Sequence, residues 1–322
     1  MHLVLRTAAA AIGTLAASLA FAQAYPAKPI KMILPIPAGS VTDVVGRGLA
    51  QWVNQAWGQP VVAENRAGAN GTLGMEECAR SAGDGYTVCM TDGNIMTINP
   101  FAYSRLPYDP LGFVPIAHLA DLEVAVAVNA ALPVNNMREL VDYVRTRPGQ
   151  VTWGSTGAGS TPHMYIEWFQ AKTGVQFNHI PYKGPAQLQQ AMAAGEVDIA
   201  NMSPASIAPY AKSGKVRFIG VAAGQRRSTY ITGLPTFSEQ GFDIDFRNWL
   251  ALVAPKGTPN DIARRWNAEA NKAIADKAWT EKVMISQALT PTGGSPEDLV
   301  AILEAKRKLG AELARIAKLK YD

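Results

Sequence analysis

The sequence predicts an α/β protein built from two lobes. Short apolar runs alternate with amphipathic stretches of helical period along most of the chain, and the same pattern starts afresh midway. About 300 residues lie beyond a removable leader, more than a single core usually serves. Strand-like runs alternating with helices imply parallel strands joined by crossover helices.

The leader is Met1 to Ala24. One positive charge, Arg6, precedes the apolar run "TAAAAIGTLAASLAFAQA", and small residues at Ala20/Ala22 or Ala22/Ala24 give the spacing of a signal-peptidase site. The run is too short and too alanine-rich for a membrane anchor. The mature chain is therefore expected to begin after Ala22 or Ala24, outside the cytoplasm.

The elements follow in order. "IKMILPI" predicts a strand, and "DVVGRGLAQWVNQAW" a helix with Val44, Val45, Leu49, Trp52 and Val53 on one face. "PVVAENR" is a second strand, "GTLGMEECARS" a helix and "TVCMTD" a third strand. "VPIAHLADLEVAVAVN" contains two more. The second half reads helix "MRELVDYVRTRPG", strand "QVTWGST", then helix "TPHMYIEWFQAKTG", opened by Ser160 or Thr161 as cap with Pro162 in its first turn. "FNHIPY", "VDIANM" and "VRFIGVAA" are strands separated by the helices "PAQLQQAMAAG" and "SIAPYAKSG". "FRNWLALVAP" returns from one lobe to the other, and three helical stretches close the chain and complete the first lobe. The lobes are expected at 25–125 with 248–322, and at 126–247, with crossings near Glu123–Asn129 and Phe246–Val253.

Charge excludes more than it assigns. Lys and Arg exceed Asp and Glu by 30 to 26, Arg6 supplying one unit of the +4 excess. No basic block stands beside aromatics, so nucleic acid is not indicated. Cys78 and Cys89 either pair in an oxidising compartment or stay as two buried thiols. Neither has a histidine near it in sequence to activate it.

The chemistry concentrates in two loops of one design. "ILPIPAGSVTD" (Ile33–Asp43) and "VTWGSTGAGSTPH" (Val151–His163) each run from a strand through glycine and hydroxyl residues into a helix. Helix-first amides lack intrahelical partners and carry partial positive charge, which suits a carboxylate or phosphate. In open α/β sheets, ligands gather where such loops lie, at the strand carboxyl ends. Neither loop has the Gly-Lys-Ser/Thr ending of a P-loop, and "GSTGAG" misses the G-x-G-x-x-G spacing of a dinucleotide site. Ser160 and His163 are spaced to meet as nucleophile and base, but no G-x-S-x-G elbow exists. His118 and His179 stand alone in apolar runs, as satisfied core histidines do. No His/Cys/Asp/Glu set has metal-ligand spacing. Machinery for holding an anion is present; machinery for reacting with it is not, so no residue is assigned as catalytic.

Motifs along the whole mature chain carry a resemblance. "YPAKPIKMILPIPAGSVTDVVGR", "GQPVVAENRAGANGTLG", "DGYTVCM", "INPFAYSRLPYDP", "GSTGAGSTPH", "IPYKGPAQLQQAMAAGEVD" and "LVAPKGTP" occur in family order from Tyr25 onward. The chain thereby resembles the tripartite tricarboxylate transporter substrate-binding proteins, the Bug/TctC family. The resemblance implies a type II periplasmic binding protein: two α/β lobes, a two-strand hinge and a cleft closing on a small organic carboxylate. It also implies delivery to the membrane components of a tripartite tricarboxylate-type transporter, without cofactor and as a monomer. On this pattern Ile36, Ala38, Gly39, Ser40, Thr42 and Asp43 form one wall. Ser155, Thr156, Gly157, Ala158, Gly159, Ser160 and His163 form the other.

Departures bear on specificity. Ile36 stands where the family's "PFxPGG"-like opening usually has Phe, and Ser40 replaces its second glycine, so a stacking surface is lost and a hydroxyl gained. Asp92 and Asn94 occupy "TDGNIM", where small hydroxyl residues are usual. Asp92 either faces the cleft or caps the following helix. Asn201 and Ser203 are placed as contacts for the ligand's far end, and Trp249 walls the cleft or sits in the core or hinge. Two other readings stand beside this one: a secreted hydrolase or transferase using Ser160 and His163, and a binding protein that reports its ligand to a sensor.

Overall fold

The computed structural model describes residues 25–157, 159–222, 228, 230–242 and 247–320. The expected leader, Ala158 and the segment 243–246 lie outside them. Two sheets organise the chain. The first has strand order β11-β4-β10-β3-β1-β2 and the second β7-β6-β8-β5-β9. In the first, β1 (Ile30–Leu34), β2 (Val61–Asn65) and β3 (Thr87–Asp92) run parallel, with helices α1 (Val41–Trp57) and α2 (Thr72–Arg80) as the crossovers between them. β4 (Val114–Leu122) and β11 (Leu289–Pro291) complete the far edge. In the second, β6 (Thr152–Ser155) runs parallel to β7 (Asn178–Pro181) and β8 (Ile199–Met202), with β9 (Val216–Ala222) at the edge.

An all-parallel arrangement is corrected in two respects: the short edge strand β11 runs antiparallel to β4, and one strand inside each sheet runs antiparallel to its neighbours. β10 (Trp249–Ala254) lies antiparallel between β3 and β4, and β5 (Val124–Asn129) antiparallel between β8 and β9. Each is the strand that has just arrived from the other lobe. It enters at the edge facing that lobe, where the parallel strands finish, and so must run against them.

The first crossing is correspondingly sharp. Leu122 ends β4 in the first sheet and Val124 begins β5 in the second, so the first crossing is the single residue Glu123, at the start of the range expected for it. The return is complete before Trp249, because β10 belongs wholly to the first sheet. The two links lie side by side, with the Leu122 amide bonded to the Asn248 carbonyl at 2.8 Å.

Both faces of each sheet are covered, which is why the strands are nearly continuous apolar runs. Alternation along β1 sends Met32 and Leu34 toward α1 and the pair α8 (Asn260–Ala275) and α9 (Lys277–Val283). Ile33 faces the opposite way, among Met75, Cys78, Cys89, Trp249 and Leu299. Cys78 and Cys89 are joined as a disulfide, Cα atoms 6.3 Å apart, pinning α2 to β3. In the second lobe, Trp153, Ile199 and Val126 pack under α4 (Met137–Arg145) and α5 (Thr161–Thr173). Ala127, Ala200 and Met202 meet α6 (Pro185–Ala194) and Ile207 of α7 (Pro204–Lys212).

The last helix, α10 (Pro296–Ile316), serves both lobes. Its first turns bury Leu299 and Leu303 in the first lobe, whereas Leu313 and Ala314 join the core of the second beside Trp168 and Phe169. The C-terminal helices thus differ: α8 and α9 pack on the first sheet, whereas α10 is shared between the lobes. Its 21 residues span about 31 Å at 1.5 Å per residue, long enough to reach across the divide. Among the described residues no helix is long and apolar enough to cross a membrane.

Candidate functional site

Parallel strands β1, β2 and β3 end at one edge, and the loops leaving that edge build one wall. Gly39 turns the first loop with φ +80°, a conformation only glycine takes without strain. Ser40 then caps α1, its hydroxyl accepting the Asp43 amide at 3.2 Å. Asp43 lies behind the loop. Its carboxylate accepts the Gly39 amide at 3.0 Å, the Arg47 Nε–H at 2.9 Å and the Asn65 side-chain amide at 2.8 Å. Asn65 also donates to the Ile36 carbonyl at 3.0 Å. Burial pushes the Asp43 carboxyl upward, but the Gly39, Asn65 and Arg47 bonds outweigh it and hold the group below its usual range. Its charge is thus spent fixing the loop. The amides of Ala38, Val41 and Thr42 are left without a partner among the described residues. Ile36 packs its side chain against the first lobe's core.

After β3 the chain makes a π-turn, Asn94–Ile98. Asp92 adopts the capping alternative: it is buried, and its carboxylate accepts the Ile95 amide at 3.0 Å. Burial raises it to about 6, the Ile95 and Asn94 amides and the Asn248 side chain opposing. Asp92 consequently shapes this turn instead of presenting a charge to a ligand. Gly93 allows the tight course, since a Cβ there would come within 2.7 Å of both Asn248 Oδ1 and Trp249 Nε1. Trp249 is core, edge-on to His118. His118 is bonded to Asp121 at 3.1 Å, a satisfied buried histidine as the sequence suggested.

Asn94 reaches the other lobe. Its amide nitrogen donates to Thr161 Oγ1, the first residue of α5, at 2.8 Å, while its Oδ1 is buried without a partner. This bond brings the start of α5 against the edge from which the first wall rises.

The facing wall repeats the design of the first. Ser160 caps α5, accepting the His163 amide at 3.4 Å and donating to the Gly157 carbonyl at 2.7 Å. Gly157 and Gly159 take φ +117° and +74°. The Gly159 amide donates to His163 Nδ1 at 3.0 Å, as the Gly39 amide donates to Asp43 in the other lobe. Thr156 and Thr161 keep amides without a partner among the described residues. Ser155 closes the end of β6. Its hydroxyl accepts the Gly157 amide at 3.1 Å and lies 2.6 Å from His179 Nε2. Asn201, one strand over, accepts the Trp153 indole N–H at 3.0 Å and leaves its own amide nitrogen buried and unpartnered. Ser203 donates to the Gln287 carbonyl at 3.1 Å, a strut between the lobes that occupies the hydroxyl expected to meet a ligand.

His179 corrects the sequence reading. It is not an isolated core histidine: its ring stacks on His163 with centroids 4.5 Å apart and planes 14° apart. Burial and the neighbouring His163 push it down to about 4, with Glu167 opposing, so it is neutral near pH 7. His163 Nε2 stands 3.6 Å from Glu167 Oε1 and holds that carboxyl below its usual range. The Ser160–His163 pair required by the hydrolase alternative is not assembled. Ser160 bonds to backbone, and the His163 ring is directed to Gly159 and Glu167. Sequence gave no sign of Asn65, and it marked Thr161 only as a cap candidate, not as the partner of Asn94. Both act through strand and lobe adjacency, which only the register reveals. Among the described residues no group of three His, Cys, Asp or Glu side chains is placed to hold a metal ion.

Sequence and fold match one family of known proteins. The model of the tripartite tricarboxylate transporter family receptor matches residues 45–313. Protein BugT of Bordetella pertussis is 34% identical over 306 residues, 93% of each chain. A solved structure described as a periplasmic transporter superposes with TM-score 0.81 at 31% identity, covering 93% of this chain and all of that one. R. palustris Rpa4515, solved with adipate, superposes with TM-score 0.82 at 28% identity, over 92% of this chain and all of its own. Amide-rich loops on facing lobes, the two-lobe fold and these matches have one common origin: the chain belongs to the tripartite tricarboxylate transporter receptor family, the solute-binding proteins that include the Bug proteins.

Proposed function

We propose that the chain captures a small organic carboxylate in the periplasm, holds it unchanged between the two walls, and delivers it to the membrane components of a tripartite tricarboxylate-type transporter. One observation carries the reading. The starts of α1 and α5 both keep amides without a partner among the described residues, those of Ala38, Val41 and Thr42 and those of Thr156 and Thr161, and Asn94, in the turn after β3, bonds Thr161 across the lobes. Each end offers positive potential and N–H donors to an anion, and closure around it strengthens those bonds by excluding water. One anion-binding end per lobe suits a ligand with a carboxylate at each of its ends. Rpa4515 holds such a dicarboxylate, adipate. Asn94 Oδ1 and the Asn201 side-chain amide are buried and unpartnered, and would accept from a ligand hydroxyl and donate to a carboxylate oxygen respectively.

The site is read as one that holds and does not react. Ser155 is fully buried and already bonded by Gly157, and a histidine near pKa 4 is a weak base at neutral pH. Export through the leader Met1–Ala24 accords with the Cys78–Cys89 disulfide, a bond that persists in oxidising compartments. The test is a thermal-shift panel of four- to six-carbon dicarboxylates against their diamides, with mass spectrometry of the recovered ligand. At least one acid raises the melting temperature, its diamide does not, and the acid returns intact. Equal shifts by acid and diamide, or a chemically altered ligand, refute the proposal.

A further inference from the structure

A second cavity lies away from the two walls and shares no residue with them. It has a volume of about 960 Å³ and runs between α10 and the segment from Met96 to Pro115. That size falls among small-molecule sites, and its lining is mostly apolar, as theirs is. Three large side chains left exposed converge on it: Leu111 at 60%, Phe101 at 40% and Val300 at 40%. Elsewhere among the described residues only Val62 and Leu73 are so exposed. Burial of such a surface is favourable, and its concentration at one place calls for an occupant.

The polar groups of the cavity state the occupant's charge. Arg307 lies beside the Phe101 ring, 5.6 Å from its centroid, and its Nη1 is buried with no partner among the described residues. Leaving a buried cationic donor unsatisfied is costly, and a bound anion removes that cost. Lys308 adds a second positive charge. Glu304 is the one acid in the lining, and it forms no ion pair with either cation among the described residues. A neighbouring cavity shares Phe101 and Ala311 and adds Arg315, Lys318 and Lys320, so the field along this side of α10 is positive.

We infer that this groove is a binding site for a single-chain anionic amphiphile, its alkyl chain along Leu111, Phe113 and Val300 and its head group on Arg307 and Lys308. From Val300 to Ala311 the helix offers a groove of about 16 Å, suited to an extended chain. The site is independent of the carboxylate site between the lobes. Its floor nevertheless includes Met96, in the same turn as Asn94.

Isothermal titration of the mature chain with dodecanoate below its micellar concentration tests the inference. One molecule binds per chain, dodecyltrimethylammonium does not compete, and saturation with a dicarboxylate that occupies the lobe site leaves the titration in place. Arg307→Gln, which removes no existing ion pair, weakens binding about tenfold. Ala301→Trp, at an exposed position on the rim, blocks the groove. The inference is overturned if dodecanoate does not bind, if the cationic amphiphile binds equally well, or if both variants bind as the parent does. Loss of dodecanoate binding on dicarboxylate saturation likewise overturns it, by making the two sites one.

Discussion

Asp43 illustrates how a charged residue can make an anion site without touching the anion. Its carboxylate collects the Gly39 amide, Asn65 and Arg47, and the loop that results points other amides outward. Asp43→Asn puts a donor where donors already converge. It is expected to lower stability by about 1–3 kcal/mol, read by thermal denaturation, and to weaken ligand binding in parallel. His163 does the same work in the facing loop through a ring nitrogen. Its stacked neighbour His179 gives the protein an acid sensitivity of definite sign. The folded protein holds His179 near pKa 4, below the ordinary 6.5, so the unfolded chain binds the extra proton in that window. Stability from this group is complete above pH 6.5 and drains away as pH falls toward 4. Asp92 acts oppositely, because its raised value near 6 favours the folded state as acid is added. The clean measurement is therefore a comparison. His179→Gln is expected to flatten the decline in melting temperature between pH 6.5 and 4 relative to the parent, and an unchanged slope would contradict the assignment.

At the level of elements, α1 and α5 are the same device used twice. Each has a serine cap whose hydroxyl accepts the amide three residues on, and each ends at a left-handed glycine, Gly58 or Gly174. These signals are local, and they could be read from the letters alone. The long helix α10 is different. A strong capping box at Ser295 and Asp298 starts it, but what fixes its position is Gly310, packed so closely on Thr97 that an added methyl group would collide with the carbonyl oxygen. Gly310→Ala, a helix-favouring change on propensity, is expected to cost about 1–3 kcal/mol through overpacking. Chemical denaturation measures it, and a gain in stability would contradict the close packing of Gly310 on Thr97.

For the whole molecule, the question is what sets the angle between the lobes. Glu123, the first link, is bonded to Ser228 of the second lobe and to Thr290 of the first. Arg247 on the return link pairs with Asp121 at 2.9 Å. Close to the return link, where Asn248 meets Asp92 and Gly93, the Asn94–Thr161 bond acts as a latch between the lobes. One such hydrogen bond is worth about 1 kcal/mol, which moves a two-state equilibrium roughly fivefold. Asn94→Ala is expected to shift the unliganded protein toward an open form with a larger radius of gyration by small-angle scattering, and to weaken ligand binding by a similar factor. An unchanged radius would mean that α10, packed into both lobes, holds the angle by itself.

The letters alone determined the two-lobe α/β architecture, nearly every helix and strand, and the pair of glycine-hydroxyl loops. All of these rest on periodicity and on contacts within a few residues. Tertiary structure alone decided that β5 and β10 run against their neighbours, that Cys78 meets Cys89, that α10 serves both lobes, and that His179 and Asn65 belong to the walls. Those facts depend on which distant segments lie side by side. A strand carries no mark of its neighbour's register, and a histidine carries none of the serine that the next strand will bring to it.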